Sequence, residues 1–209
     1  MKVKGMLAVL TCVLAISFAA GVAHAAAVIL PRAGQVGVGL QGQFGGMLES
    51  GELGKEFGTG PGLAVRVKYR MRYERAMGLS FEVRTLDGRG KLVTPSAFPV
   101  GIDSLPLKSL SLQTFGFDVY QFFHTRSRNQ QYLSASAGLA KINAVGSDGD
   151  AVFPIAGDGM FLGVGAGFER FVYRSWAIDV SLRYSAVFLD GSANHDVQAA
   201  VGMIFYAAY

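Results

Sequence analysis

The chain has 209 residues, of which 51% are apolar and only 16% are charged, and it contains 28 glycines. This composition excludes a disordered chain, and the single cysteine excludes an internal disulfide. The formal charge of +4 comes from 19 basic residues scattered among 15 acidic ones. Because they form no basic run or stripe, we expect no nucleic-acid partner.

Residues 1–25 have the three-part pattern of a secretory signal peptide. Two lysines precede an apolar stretch at 6–20, and Ala23-His24-Ala25 forms an A-x-A cleavage site. Cleavage after Ala25 would leave 26–209 as the mature protein, with no cysteine and a formal charge of +2. The alternative, an uncleaved membrane anchor, is disfavoured because polar residues interrupt the apolar stretch.

Beyond residue 25, apolar residues recur at every second position, and no apolar run is long enough for a membrane-spanning helix. A period of two is typical of β-strands. The predicted strands are 35–45, 62–73, 77–85, 109–123, 132–142, 160–170, 176–188 and 197–209. The fourth changes its apolar phase between Leu112 and Phe115, which predicts a β-bulge near Gln113-Thr114.

The second face of these strands separates a membrane barrel from a soluble sandwich. It holds glycines, glutamines and charges of both signs. In a membrane barrel this face lines the lumen, the apolar face meets lipid, and closure leaves no unpaired strand edge. We therefore predict one all-β domain at 26–209, an eight-stranded antiparallel transmembrane β-barrel in up-and-down order. Short turns should be periplasmic, and longer connections at 47–60, 86–108, 143–159 and 189–196 extracellular.

Nine charged residues are predicted to face the lumen. They are Arg66, Lys68, Arg70, Glu82, Arg84, Asp118, Glu169, Asp179 and Arg183. A hairpin centred on Glu74 places Arg66 opposite Glu82. Because an eight-stranded barrel is just wide enough to be filled by side chains, charges inside it must be paired. We interpret the nine as a polar network that fills the barrel; the alternative is a gated ion path in which salt bridges exchange partners.

Glycines and aromatic residues add two structural expectations. Gly163, Gly165 and Gly167 alternate within a strand, so they should make room for large neighbours in the lumen rather than bind phosphate. Aromatic residues near strand ends predict a girdle at the lipid headgroups. Its members are Tyr69, Tyr73, Tyr132, Tyr173 and Trp176, together with Phe122, Phe123, Phe205 and Tyr209.

Ser192, His195, Asp190 and Asp196 lie close together in the last predicted outer loop. A serine, a histidine and an acid can perform acyl hydrolysis, but these are also ordinary turn residues. The spacing of Asp148, Asp150 and Asp158 does not fit an EF-hand calcium loop, and ordinary turn chemistry accounts for these residues. We expect no catalytic residue, no metal and no cofactor.

The pattern resembles the small eight-stranded outer-membrane barrel family of the OmpA-barrel and OmpX type across 26–209. Residues 163–184 (GVGAGFERFVYRSWAIDVSLRY) resemble its sixth and seventh strands with their tight turn. The stretch VGMIFYAAY is similar to its assembly signal, through Val201, Met203, Phe205 and a terminal Tyr209 where most members have Phe. The resemblance implies a monomer in the outer membrane of a Gram-negative-type cell. The implied partners are membrane lipid, lipopolysaccharide and the barrel insertion machinery.

For function, we expect a non-enzymatic protein that supports envelope integrity or surface interaction through its extracellular loops. The first alternative is a narrow pore or a route for small molecules across the outer membrane. The second alternative is a hydrolase that modifies lipid A. Mixed charges in the lumen favour a filled barrel over an open channel.

Overall fold

A computed structural model describes residues 29–88, 107–148, 151–189 and 192–207. The predicted signal peptide and Tyr209 lie outside these ranges. The described residues form eight strands and one short helix. In chain order they are β1 (Val36–Met47), α1 (Glu52–Glu56), β2 (Thr59–Arg70), β3 (Arg75–Asp87), β4 (Leu107–Phe123), β5 (Asn129–Asp148), β6 (Ala151–Tyr173), β7 (Trp176–Leu189) and β8 (Ser192–Tyr206).

The strands form one closed antiparallel barrel. Each strand pairs with the next along the chain, and β1 closes the barrel against β8. The predicted eight-stranded up-and-down barrel is therefore confirmed. Within the described ranges, no helix has the length and apolar character needed to cross a membrane.

The distribution of side chains is inverted relative to a soluble protein. Apolar residues on the outward face are widely exposed, for example Leu139 at 63% and Leu63 at 61%. Charged residues on the inward face are almost completely buried, for example Arg66 at 2% and Lys68 at 0%. An apolar exterior around a polar interior is the pattern of a barrel whose outer surface meets lipid.

The two ends of the barrel differ in their connections. The turn end carries the connections 71–74, 124–128 and 174–175, and the loop end carries 48–58, 88–106, 149–150 and 190–191. At the loop end, pairing continues to Asp148 opposite Ala151 and to Leu189 opposite Ser192. The prediction of long loops at 143–159 and 189–196 is therefore wrong, because most of these residues belong to paired strands. Backbone hydrogen bonds extend these hairpins without requiring the apolar alternation that lipid imposes inside the membrane.

The predicted bulge at Gln113-Thr114 is also wrong. The register of β4 runs continuously through this point against both neighbours. Leu110 and Leu112 lie on the inward face and are buried, whereas Phe115 lies on the outward face. The apolar phase changes because the interior of the loop end is itself apolar, while the backbone continues unchanged.

Candidate functional site

The lumen at the loop end is filled by an apolar layer. Leu53 and Phe57, in and next to α1, fold inward and are 7% and 0% exposed. The Leu53 N–H donates to Asn194 Oδ1 at 3.0 Å, which holds α1 over the lumen. The remaining members of this layer are Met47, Leu86, Leu110, Leu112, Ala140, Ile142, Phe161, Val187 and Leu189. Together these residues form a roof over the interior.

Below this roof lies a network of charged side chains. All nine residues predicted to face the lumen are buried there, and Asp196 from β8 joins them. The network therefore contains five cations and five anions. Each of the five carboxylates lies within 4 Å of at least one lysine or arginine nitrogen. Its formal charge sums to zero, which lowers the cost of enclosing so many ions.

Lys68 lies at the centre of the network. Its Nζ donates to Glu169 Oε1 at 2.8 Å and to Asp179 Oδ2 at 2.7 Å. The same ammonium lies 4.6 Å from the ring centroid of Tyr120 and 4.5 Å from that of Tyr132. Two carboxylates and two aromatic faces thus surround one cation, an arrangement that also supplies cation–π stabilisation.

Glu82 forms a second centre. Its Oε1 accepts from Arg66 Nη2 at 3.2 Å and Arg183 Nη1 at 2.8 Å, and its Oε2 accepts from Gln198 Nε2 at 3.0 Å. The predicted register is wrong by two residues, because Arg66 lies opposite Ser80. The hairpin is centred one residue earlier than Glu74, so the Arg66–Glu82 ion pair forms diagonally, within reach of two long side chains.

Asp196 forms a two-pronged pair with Arg84, at 2.9 Å from Nη1 to Oδ1 and 2.6 Å from Nη2 to Oδ2. The predicted loop position of Asp196 is wrong because β8 already begins at Ser192. Ser192 Oγ donates to the Leu189 carbonyl oxygen, and the His195 ring stacks on Tyr184 on the other face of the strand. Asp190 lies outside the described residues. The described members of this set therefore do not converge on a common point.

An aromatic layer closes the turn end of the lumen. The Arg70 guanidinium lies 3.4 Å from the ring centroid of Phe122 and donates to Glu169 Oε2 at 3.0 Å. Tyr206 Oη donates to the same carboxylate at 2.8 Å. Tyr132 Oη donates to Asp179 Oδ1 at 2.8 Å. The layer therefore hydrogen-bonds directly to the charge network above it.

The assignment of Tyr132 and Phe122 to the aromatic girdle is wrong. Both are buried in the lumen, at 2% and 1% exposure. The residue after each of them, Leu133 and Phe123 respectively, is exposed on the outer face, so Tyr132 and Phe122 point into the lumen. Gly167 makes this arrangement possible, because a Cβ there would lie 2.6 Å from Tyr132 Cζ.

The other girdle candidates lie on the outer surface at the turn end. The side chains of Tyr69, Tyr73, Tyr173 and Trp176 are all exposed there. The Trp176 ring packs on Phe205 at 5.0 Å between centroids. We call these five residues the turn-end belt. Two other candidate assembly residues, Val201 and Met203, also face outward, at 39% and 47%.

Four functional-site residues escaped the sequence analysis: Gln41, Gln198, Tyr120 and Tyr206, which are all buried in the lumen. Each falls on the inward phase of its strand, so strict alternation would have found them. Gln41 has no hydrogen-bond partner for either side-chain polar atom in the described structure, and Gln198 Oε1 and Arg66 Nε also have none. Buried polar atoms of this kind are where internal water binds. No group of three or more potential metal ligands occurs among the described residues.

A closed strand set, an apolar exterior and a charged interior define a transmembrane β-barrel protein. Neisserial surface protein A is similar, with a TM-score of 0.56 and 16% identity over 81% of this chain and 96% of that one. The outer membrane protein OprG of Pseudomonas aeruginosa is similar with a TM-score of 0.51 and 10% identity, over 87% of this chain and 100% of that one. Ail of Yersinia pestis, in complex with the heparin analogue sucrose octasulfate, is similar with a TM-score of 0.50 and 13% identity, over 83% of this chain and 99% of that one. The chain has the fold of the small eight-stranded outer-membrane β-barrels. Its sequence matches no protein-family model and no curated protein.

Proposed function

We propose that this chain is a non-enzymatic outer-membrane protein whose filled barrel anchors an interaction surface at its loop end. The filled lumen is the observation that carries the proposal. Five buried cations are paired with five buried anions, beneath an apolar layer and α1. Passage of a solute would require several of these pairs to separate in a low-dielectric interior, which is costly. The barrel therefore serves as a support, and its loops contact the surroundings.

The loop end offers a projecting surface. From Ala151 to Gly159, β6 pairs with β5 alone, because its pairing with β7 begins only at Met160. Nine residues of strand extend about 30 Å along the strand, so this hairpin projects beyond the end of β7, with β4 beside it as far as Gly146. The names of two similar proteins refer to a surface protein and to an attachment invasion locus. Both names support a role in surface interaction or envelope integrity.

Export and membrane insertion belong to the same proposal. The signal peptide at 1–25 directs the chain out of the cytoplasm, with cleavage after Ala25. The mature monomer then meets the insertion machinery through the signal at Val201, Met203, Phe205 and Tyr209. In the membrane it contacts lipid and lipopolysaccharide. Similarity to known outer-membrane barrels supports this location.

A narrow pore is the second candidate function. It is favoured by the unpartnered polar atoms of Gln41, Gln198 and Arg66, which internal water would satisfy. Water next to exchangeable ion pairs is the minimum that a gated ion path needs. A permanently open channel is disfavoured, because the five cations and five anions of the lumen are all paired with one another.

Planar-bilayer recording on the purified, folded chain separates the two functions. We expect no stable conductance from the wild type. Replacing both Arg84 and Asp196 by alanine removes the ion pair beneath the roof. This variant tests whether a widened lumen produces a measurable conductance. Stable, salt-proportional steps from the wild type would contradict the proposal and establish the pore.

The interaction surface needs its own test in cells. Shortening the β5–β6 hairpin between Val145 and Pro154 removes the tip of the projecting surface and leaves the pairing of β6 with β7 intact. We expect the folded protein to persist while cells become more sensitive to detergent, or bind less to the surfaces they normally attach to. Unchanged behaviour in both assays would contradict a role for this hairpin.

A further inference from the structure

Charge is distributed very unevenly between the two ends of this barrel. Outside the lumen, the described residues at the turn end include one glutamate and seven arginines. We call these arginines the arginine rim: Arg32, Arg72, Arg75, Arg126, Arg128, Arg170 and Arg174. The loop-end stretches 48–59, 87–109, 141–159 and 189–195 contain nine acidic and five basic residues in the sequence. Because the lumen is neutral, the small net charge of the chain is the sum of a positive turn end and a negative loop end.

The arginine rim is available to a partner. Apart from Arg170, all its members are exposed. Within the described part of the chain, none of these six has a carboxylate oxygen within 4 Å of its guanidinium. Glu74 is the one acidic side chain described at this end outside the lumen. These six arginines thus form an unneutralised cationic surface, and guanidinium groups of this kind bind phosphate with two parallel hydrogen bonds.

The rim lies next to the surface that meets the membrane. The Arg174 guanidinium lies 5.3 Å from the ring centroid of Tyr173, a member of the turn-end belt. Exposed aromatic belts lie at the headgroup level of a bilayer. Arg72, Arg75 and Arg174 lie only one or two positions from a belt residue, which is a few ångströms at about 3.3 Å per residue. Their guanidinium groups therefore lie at the height of the lipid phosphates.

Arg174 also occupies an unusual backbone position. It belongs to the two-residue turn between β6 and β7, and its φ is 43°. This left-handed region favours glycine or asparagine in such turns. An arginine at this position keeps a cation beside Tyr173 despite the less favourable backbone.

We infer that the arginine rim binds the headgroups of anionic phospholipids in the membrane leaflet at the turn end. The rim is spread over three separate turns and the segment before β1, so it encircles the barrel. An encircling arrangement suits a continuous leaflet of anionic headgroups better than one compact ligand or one protein docked on a side. Short turns of outer-membrane barrels face the periplasm, which makes this the periplasmic leaflet. The surface lies opposite the proposed interaction surface, so failure of this inference would leave the proposed function intact.

The chain contains its own reporter for this test. Trp176 is the single tryptophan, and it lies in the turn-end belt two residues from Arg174. The full chain is reconstituted into bilayers of phosphatidylcholine and phosphatidylglycerol, with one of the two lipids brominated. Quenching of Trp176 then gives the relative binding constant of the anionic lipid beside the rim.

We expect phosphatidylglycerol to be favoured about threefold to fivefold at low salt, with the preference falling toward one in about 0.5 M salt. The variant R32Q/R174Q should lose most of this preference. The matched control K55Q/K141Q removes two exposed positive charges at the loop end and should retain it. Heat-modifiable gel mobility verifies that both variants are folded.

A wild-type ratio near one would overturn the inference, as would an unchanged ratio in R32Q/R174Q. A second measurement addresses the cell wall as an alternative anionic partner. If R32Q/R174Q loses co-sedimentation with purified peptidoglycan but keeps its lipid preference, the rim binds that polymer and the inference is wrong. Loss of the lipid preference with co-sedimentation unchanged supports it.

Discussion

Replacing Lys68 by methionine should strongly destabilise the barrel. Lys68 is fully buried and donates to Glu169 at 2.8 Å and to Asp179 at 2.7 Å. At an effective dielectric constant of about 20, each contact is worth about 6 kcal/mol of Coulomb attraction. Desolvation of the ammonium cancels several kcal/mol of this sum. Removing one partner of a buried charge pair typically costs about 3–5 kcal/mol, which is the loss we expect here.

The reason for this loss can be tested with a compensating change. The variant K68M leaves two carboxylates facing each other without their shared cation, and the network then holds four cations and five anions. Adding Asp179→Asn restores equal numbers. We expect K68M/D179N to recover about 2 kcal/mol relative to the sum of the two single changes, since directly contacting residues show coupling of that size.

The measurement is urea unfolding of the protein in lipid vesicles, followed through Trp176 fluorescence. Lys141→Met is the control, because Lys141 is exposed at the loop end. Its effect should stay within about 0.5 kcal/mol. If K68M costs less than about 1 kcal/mol and the double variant shows no recovery, the lumen charges are hydrated independently. The interpretation of a desolvated, mutually dependent network would then be wrong.

Two further substitutions test packing inside the lumen. Gly167→Ala should destabilise the barrel by about 1–3 kcal/mol, because its Cβ would lie 2.6 Å from both Tyr132 Cζ and the Val180 carbonyl oxygen. Gly42→Ala, whose nearest neighbour is 3.9 Å away, should change urea unfolding by less than about 0.5 kcal/mol; equal effects would show that the close approach is relieved easily. Phe57→Ala should cost about 3 kcal/mol and make the 48–58 segment sensitive to protease, whereas exposed Leu48→Ala should do neither. Protease resistance in Phe57→Ala would contradict the role of the apolar roof.

The part of the fold that could be read from the sequence is the part that crosses lipid. There the environment differs on the two faces of each strand, so alternation such as Leu63, Val65 and Val67 against Arg66 and Lys68 has a single interpretation. Beyond the membrane this contrast disappears. The hairpin extensions at 143–148 and 151–156 are held by backbone pairing, which leaves little trace in the side-chain pattern.

The errors inside the lumen have a different origin. The aromatic ring of Tyr132 is typical of the girdle, whereas its position in the two-residue period of its strand places it inside the lumen. Leu110 and Leu112 suggested a change of backbone, although they pack in an apolar layer that only tertiary structure creates. The residues around Asp196 are of the types common in turns, but Asp196 lies in β8, where its carboxylate balances the charge of Arg84. Strict use of the two-residue period would have placed Tyr132 and Leu112 correctly.

The network also links the filling of the barrel to its closure. The Lys68–Glu169, Lys68–Asp179 and Arg84–Asp196 pairs join residues 101, 111 and 112 positions apart. The bonds from Gln198 to Glu82 and from Tyr206 to Glu169 involve β8, the strand that must meet β1. Except for the Tyr206–Glu169 bond, whose strands are separated only by β7, these contacts cannot form in an open sheet, where the same groups would be left to water. Closure therefore brings ten charges, most of them separately hydrated in an open sheet, into one neutral interior, and the stability gained on closure depends on the pairs between distant strands.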